Sequence, residues 1–441
     1  MIRNPELRRN LWLELTPHRL FAMPAVLLLA LVLAYVLGRR QGVEAAAAVA
    51  LGLFVAISTL WGSQLAANSI VDEFRDKTWD TQRMSSLGPW ALAWGKLAGA
   101  NVFTWYGGAM CIGAFVVFGA LGELRQLPIA ATALLACGAA VLTHSLSMFF
   151  ALIMDSATSR RRTPPNILVV LLLLMFFGRY LYVVYGREPT IWYGMVLNPT
   201  WFGVISIWLF AIWATVGVYR ALCAELQVRT SPTAWLGFAA FLSLYFTGFA
   251  VGLRPGDALP LFAYVGFVVT LSMTYLSVWW ERRDIVTIRR FALHWRTSSL
   301  KRTLQEMPCW LATAPFAIGF ALFLALGTPS PPAPFDRLPP GFAFGVCLYA
   351  LRDLGLLYFF SLARAPRRAE LTTIVYLAVV YWLLPAIFGA AGLDPLAKLF
   401  LPPIWDEASK GIGILLVHLA VVGGLLWWRS RMYRAGTIAS P

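Results

Sequence analysis

The sequence predicts an all-α polytopic membrane protein, with about 12 transmembrane helices in two parallel six-helix halves. Of its 441 residues 59% are hydrophobic and 13% are charged, a composition typical of membrane proteins rather than soluble domains. Apolar runs of about 20 residues, long enough to cross a bilayer core of ~30 Å, recur along the whole chain. The gaps between these runs alternate between many and few Lys and Arg residues.

The apolar runs are continuous rather than alternating, and therefore predict helices and not the strands of a closed barrel. The twelve predicted spans are residues 20–37, 45–67, 97–120, 127–153, 166–185, 199–220, 232–252, 260–280, 308–327, 342–362, 371–390 and 411–429.

The distribution of Lys and Arg predicts the orientation of the chain. With the N-terminus inside, and with charges towards the ends of spans counted with the nearest gap, the inner side holds 26 of these residues and the outer side holds 9. The positive-inside rule then places both termini in the cytoplasm of a multi-pass protein of the cell inner (plasma) membrane. Residues 1–19 are too polar for a signal peptide, so the first run is expected to be an uncleaved anchor.

A short helix is predicted ahead of the first span, within residues 5–19. Leu7, Leu11 and Leu15 fall on one helical face, which favours a helix lying in the membrane interface. The alternative is a frayed polar tail.

A faint internal repeat predicts two related halves. The pattern R-x-L-x-x-E-L occurs at residues 9–15 and again at residues 220–226. Each copy precedes a span, and the order of the polar loops also matches. We therefore expect a first half at residues 1–220, which includes the interfacial helix, and a second half at residues 221–441, related by an axis along the membrane normal.

Several kinds of site are not expected. Around Gly95-Lys96 a nucleotide-binding P-loop would need glycine at Trp90 and Ser or Thr at Leu97. The four histidines and five cysteines lack metal-ligand spacing, so no metal site is predicted. The net charge of +15 is spread over short gaps rather than one soluble face, which argues against nucleic-acid binding.

The most mixed-charge interruption of the first half is the stretch of residues 72–96. Its charges cannot lie in hydrocarbon and must sit at a membrane surface. Residues 85–89 should interrupt the helical structure, and Pro89 should be the first residue of the next helix. Trp90 and Trp94 should share an interfacial face, and Lys96 should extend its ammonium back to the lipid headgroups.

This stretch resembles the inner-loop segment of the type-2 permease family of ATP-binding-cassette exporters. In that family an acidic residue is followed by Thr, a Pro-containing turn, and Gly-Lys entering the third span. The residues in that order here are Glu73, Thr78, Pro89, Gly95 and Lys96. Lys77 stands where Gly often precedes the Thr, and Ser86 where a first Pro is common. The layout of residues 1–220 is also similar to that family.

The resemblance implies a permease subunit of an ATP-driven exporter, without an enzyme site or cofactor of its own. Separate ATPase subunits would bind the ATP and dock on this loop. The residues expected to couple the two are Glu73, Arg75, Thr78, Asp80, Arg83, Pro89 and Lys96. A further permease chain or a second copy of this chain is left open as a partner, and no residue selects a substrate.

The inner loop of residues 281–306 is the predicted counterpart in the second half. Its expected coupling residues are Glu281, Arg282, Thr287 and Arg290. The loop is strongly basic and has apolar residues at helical spacing. It would therefore dock a partner, lie on anionic lipid, or do both.

Polar residues inside spans are candidates for the transport pathway. They are Arg179, Arg352, Asp353 and His144. Arg352 and Asp353 are adjacent in one helix, so we expect them to point apart and to need separate partners. The alternative role for both is to hold the helix bundle together.

Three alternatives to this interpretation remain open. The loop at residues 72–96 could be solvated and have no partner. Twelve spans in two parallel halves also describe an ion-coupled secondary transporter of major-facilitator-like layout, although the G-x-x-x-D-R-x-G-R-R pattern of that class is missing. A membrane scaffold or enzyme subunit is the third alternative.

Overall fold

A computed structural model of the chain describes residues 4–85, 87–122, 128–157, 189–253, 258–281, 285–297, 299–327, 341–362, 369–397, 399–400 and 408–434. These residues are almost entirely helical. In chain order the helices are α1 Pro5–Glu14, α2 Pro17–Leu37, α3 Gly42–Phe54, α4 Gly62–Arg75, α5 Trp79–Arg83, α6 Pro89–Gly99, α7 Val102–Leu121, α8 Ile129–Ala157, α9 Pro199–Glu225, α10 Thr233–Leu253, α11 Ala258–Trp280, α12 Ile285–Arg296, α13 Leu300–Glu306, α14 Cys309–Gly327, α15 Phe342–Ser361, α16 Ala369–Ala378, α17 Leu384–Ala390, α18 Asp394–Ala397 and α19 Ala408–Arg434.

Two π-helical segments, in which the helix is wider than an α-helix, lie between some of these helices. A π-helical segment, Val55–Trp61, joins α3 to α4, and a second one, Val379–Leu383, joins α16 to α17. A short 3₁₀ segment, Arg39–Gln41, precedes α3. Because the helix continues through the first π segment, α3 and α4 form one helix from Gly42 to Arg75, within the apolar stretch Arg39–Arg75.

Within the described residues, eleven helices are long and apolar enough to cross a membrane. They coincide with eleven of the twelve predicted spans, which confirms an all-α polytopic membrane protein. The remaining prediction, residues 166–185, lies outside the described residues. The total of twelve spans and the cytoplasmic location of both termini stay predictions.

A β-hairpin follows that region and was not expected from the sequence. Strand β1 is Thr190–Trp192 and strand β2 is Met195–Leu197. Tyr193 and Gly194 form the two-residue turn with φ of 49° and 74°, as tight hairpins require. The Trp192 indole N–H donates to the Tyr245 carbonyl oxygen of α10 at 3.0 Å.

The chain forms two compact units. Unit 1 comprises Met1–Thr190 and Val196–Thr230, and unit 2 comprises Ile191–Met195 and Ser231–Pro441. The division between Thr230 and Ser231 follows the end of α9, whereas the predicted boundary at residues 220/221 falls inside α9. The origin of the two halves by duplication stays a prediction.

The core of unit 1 that matters for the site lies where α4, α5, α6, α8 and α9 meet. It includes the buried side chains of Ile70, Trp79, Leu92, Leu152 and Leu222. These residues come from the ends of spans and from the polar loop alike. The loop is therefore packed into unit 1 and is not a free connection.

Candidate functional site

The polar stretch of residues 72–96 folds as two helix ends and one short helix between them. After α4 ends at Arg75, Lys77 adopts a left-handed conformation with φ of 57°. Thr78 then closes the turn, donating its N–H and its hydroxyl to the Glu73 carbonyl oxygen at 3.0 and 3.3 Å. Pro89 occupies the first turn of α6 after Gly88, as the sequence predicts.

Lys96 lies at the centre of this site. Its side chain is only 2% exposed, and its ammonium donates to the Glu73 carboxylate and to the Ser69 carbonyl oxygen, the latter at 3.3 Å. A second carboxylate, that of Glu6, lies 3.8 Å away. The prediction that Lys96 reaches the lipid headgroups is therefore wrong, because the two carboxylates hold it inside the protein.

The N-terminal helix α1 packs directly on α6. The Asn4 side chain accepts from the Glu6 N–H at 3.0 Å, capping α1, and donates to the Ala91 carbonyl oxygen at 2.6 Å. A Cβ atom at Gly95 would lie 2.7 Å from the Glu6 Cβ, and one at Gly99 would lie 2.6 Å from the Asn10 amide nitrogen. Only glycine permits this approach. A helix is confirmed at Pro5–Glu14, and its polar residues contact α6; its location in the membrane interface stays a prediction.

The short helix α5 is fixed at both of its ends. Trp79 is buried and stacks on Phe74, with ring centroids 4.7 Å apart. The Gln82 amide donates to the Glu73 carboxylate that also binds Lys96. The Arg83 guanidinium donates to the Glu225 carbonyl oxygen at 2.8 Å, at the end of α9. The loop is thus attached to the second, third and sixth predicted spans.

The predicted coupling residues divide into two groups. Glu73 and Lys96 are directed inward, and Pro89 is half-buried. The residues exposed at the surface are Arg75, Thr78, Asp80 and Arg83, and beside them lie the exposed Asp72, Asp76 and Lys77. Arg75 and Arg83 lie 3.7 and 3.6 Å from Asp72 and Asp80 across one helical turn. Such exposed pairs are weak, so Asp72, Arg75 and Asp80 are available to a partner, whereas Arg83 is also held by Glu225.

Burial sets the electrostatics of the site. Removal from water lowers the pKa of the Lys96 ammonium below its usual value, and the Glu73 carboxylate opposes that shift. A buried ammonium stays charged only with such a partner. The local fold therefore depends on this ion pair, which is buried and is not a surface contact.

The second predicted loop has a different geometry. The Glu281 carboxylate accepts from the Cys309 N–H at 2.7 Å, where it stabilises the positive N-terminal end of α14. Like Glu73, it connects the end of the second span of its half to the start of the third. Arg290 is exposed on α12. The side chain of Thr287 and the whole of Arg282 lie outside the described residues.

The candidates inside the spans are mostly paired. The His144 ring nitrogen Nε2 lies 2.6 Å from the Ser58 carbonyl oxygen within the first π segment, so His144 supports the irregular backbone there. Arg352 and Asp353 bind each other, with the nitrogen Nη2 2.8 Å from Oδ1. The prediction that each needs a separate partner is wrong for Arg352, because its long side chain reaches the carboxylate of the next residue in the same helix. Arg179 lies outside the described residues.

Several residues of the site were missed by sequence reasoning. Glu6 and Gln82 contact the members of the ion pair and Asn10 packs against Gly99, yet each is an ordinary polar residue in the sequence. The pattern Gly95-x-x-x-Gly99 was the available signal, since small residues four apart indicate a close helix approach. Nothing in the local sequence marked Gln82.

Comparison of the chain with protein-family models, with curated proteins and with solved structures found no match. The class of this protein is therefore assigned from its fold and its site alone. The chain is a helical, multi-pass membrane protein in which a polar loop between two spans is built on a buried ion pair.

Proposed function

We propose that this chain is the membrane-spanning permease subunit of an ATP-driven exporter in the cell inner membrane. In this proposal separate ATPase subunits bind on the loop of residues 72–83 and drive movement of the spans on either side. The buried Glu73–Lys96 ion pair is the observation that carries the proposal. It joins the end of one span to the helix that leads into the next.

A docking element needs an exposed, chemically varied surface and a rigid base. Residues 72–83 supply the surface through three exposed acidic and three exposed basic side chains. The base consists of Lys96, Glu73 and the buried Trp79. A force applied to α5 would reach α4 and α6 through these contacts rather than being absorbed by a flexible loop.

The backbone at Lys77 supports the family resemblance. The type-2 permease pattern often has Gly before the Thr, and Lys77 occupies that position. Its φ of 57° is the left-handed conformation that glycine adopts most readily. The position therefore has a backbone conformation that a glycine would favour, although its residue is Lys.

Copurification of an ATPase with the full-length chain from its native host tests the proposal. We expect an ATPase subunit to be retained by the wild type, and Asp76→Lys with Asp80→Lys to reduce retention at least about tenfold, since each tenfold change is about 1.4 kcal/mol of binding free energy. Asp394→Lys is the matched control, because Asp394 is also exposed and lies in a predicted outer loop.

Equal retention by both variants, or no ATPase with the wild type, would refute the docking role. The secondary transporter is distinguished by reconstitution of the purified chain alone. Solute accumulation driven by an ion gradient, without ATP or an ATPase, would favour that alternative over the exporter.

A further inference from the structure

A polar cluster lies in the middle of α15, within unit 2. Arg352 and Asp353 are 3% and 5% exposed. Around them lie Tyr349 of the same helix, Tyr275 of α11 and Tyr381 of the second π segment. We call these five residues the α15 cluster. Charged groups at such depth require satisfied partners or a function.

The carboxylate of the α15 cluster has no room for another donor. The Asp353 oxygen Oδ1 accepts from Arg352 nitrogens Nε and Nη2 at 3.0 and 2.8 Å. The other oxygen, Oδ2, accepts from the hydroxyls of Tyr275 and Tyr381 at 3.0 and 2.7 Å. An ionised carboxylate offers about four acceptor positions. Asp353 therefore cannot take up a cation or a further hydrogen-bond donor without losing a partner.

The guanidinium of the same cluster is not saturated. The Arg352 nitrogen Nη1 is buried and has no hydrogen-bond acceptor in the described part of the chain. The rings of Tyr349 and Tyr381 cover the guanidinium, with centroids 4.7 and 4.8 Å from its central carbon. Aromatic faces attract the cation, but they do not replace an oxygen acceptor at the edge. An unsatisfied N–H inside a membrane is strongly unfavourable.

A second unpaired nitrogen belongs to His418 of α19. The atom Nδ1 is buried and also lacks a hydrogen-bond partner among the described residues. This histidine borders the α15 cluster, because Leu415 of α19 shares a buried cluster with Tyr349 and the Tyr349 hydroxyl donates to the Leu399 carbonyl oxygen, next to Phe400, at 3.4 Å. The His418 ring stacks on Phe400 with centroids 5.8 Å apart, which restrains its orientation.

We propose that the α15 cluster is a binding site for an anionic oxygen, that of a carboxylate or phosphate group. Arg352 Nη1 is the main donor and His418 Nδ1 is the second. Asp353 holds the guanidinium in place and, being saturated, rejects cations. The site should prefer anions to cations because Asp353 has all of its hydrogen-bond positions filled, whereas Arg352 has one N–H group without an acceptor among the described residues. The site needs no ATPase, so its failure would leave the proposed coupling function untouched.

The anionic group has two sources, a lipid headgroup or a soluble anion, and the experiment separates them. The full chain is purified in a neutral detergent, and its thermal unfolding midpoint is measured against added ligand. Inorganic phosphate and acetate, compared with chloride at equal ionic strength, form the soluble arm. Phosphatidylglycerol compared with phosphatidylcholine in mixed micelles forms the lipid arm. Ligand that binds the folded state raises the midpoint.

Arg352→Lys keeps the charge but loses the planar fork of donors. We expect at least about tenfold weaker binding of the stabilising probe, the loss of one charge-assisted hydrogen bond. Arg429→Lys is the matched control, because Arg429 donates to the Leu362 carbonyl oxygen at 3.2 Å and lies over the Phe359 ring. This control should bind the probe like the wild type.

His418→Phe keeps the stacking on Phe400 and removes only the second donor, so it carries the test if Arg352→Lys fails to fold. We expect several-fold weaker binding of the probe. Stabilisation in either arm that is weakened by these variants supports the site and identifies the source. The proposal is overturned by no stabilisation in both arms, or by undiminished stabilisation in Arg352→Lys or, where that variant does not fold, in His418→Phe.

Discussion

Replacing Lys96 by methionine would remove the cation at the centre of the candidate site and keep most of its volume. The Glu73 carboxylate would then remain with 13% side-chain exposure and without its charged partner. Glu6 would be less affected, because Arg9 lies 3.5 Å from it. Loss of one member of a buried ion pair typically costs about 3–5 kcal/mol.

The double variant Lys96→Met with Glu73→Gln removes both charges together. An uncharged, similarly shaped pair is often as stable as the ion pair it replaces, and the amide can still bind Gln82. We therefore expect the double variant to recover at least half of the free energy of unfolding that Lys96→Met loses. The free energy of coupling between the two positions should be about 2–3 kcal/mol.

Thermal unfolding of the detergent-purified chain, followed by tryptophan fluorescence, measures these differences. At about 1–2 °C per kcal/mol for a chain of 441 residues, the Lys96→Met midpoint should fall by roughly 3–10 °C. The double variant should unfold at a higher temperature than Lys96→Met. Additive losses from the two single substitutions would refute the reasoning, since independent residues add.

Three further predictions use the same unfolding measurement. Gly95→Ala should cost about 1–3 kcal/mol by pressing a methyl group against Glu6, whereas Gly113→Ala, with nothing within 4 Å, should cost nothing; equal effects would contradict the proposed close packing of α1. Lys77→Gly should raise stability by about 0.5–1 kcal/mol, by relieving the left-handed backbone, and Lys77→Val should lower it; a loss in both variants would argue against this source of strain. Trp79→Ala should cost about 3–5 kcal/mol as a buried aromatic residue is lost, and an unchanged midpoint would show that α5 is not anchored.

The spans were predictable because hydropathy and length are local properties of the sequence. Each of the eleven described spans follows a continuous apolar run, and the start of α6 follows from the rule that favours Pro89 in a first turn. The partners of Lys96 were not predictable in the same way. Glu73 precedes it by 23 residues and Glu6 lies in another helix, so only the folded chain brings them together.

The α15 cluster illustrates a different limit. Adjacent residues in a helix point about 100° apart, which led to the expectation of separate partners for Arg352 and Asp353. That rule describes the Cα–Cβ directions and not the ends of long side chains. The flexible Arg352 side chain reaches back to its neighbour, and the tyrosines that complete the cluster come from distant segments with no local signal.

The continuous helix from Gly42 to Arg75 has a consequence for motion. Its three segments of 13, 7 and 14 residues span about 51 Å at 1.5 Å per residue, whereas the hydrocarbon core is only ~30 Å thick. Several turns must extend beyond the lipid. The π segment Val55–Trp61 lies near the middle, and the 14 residues of α4 beyond it form an arm of about 21 Å. A tilt of about 10° at that segment would displace the tip by roughly 4 Å, so a small local adjustment in the membrane would become a movement of atomic size at the surface.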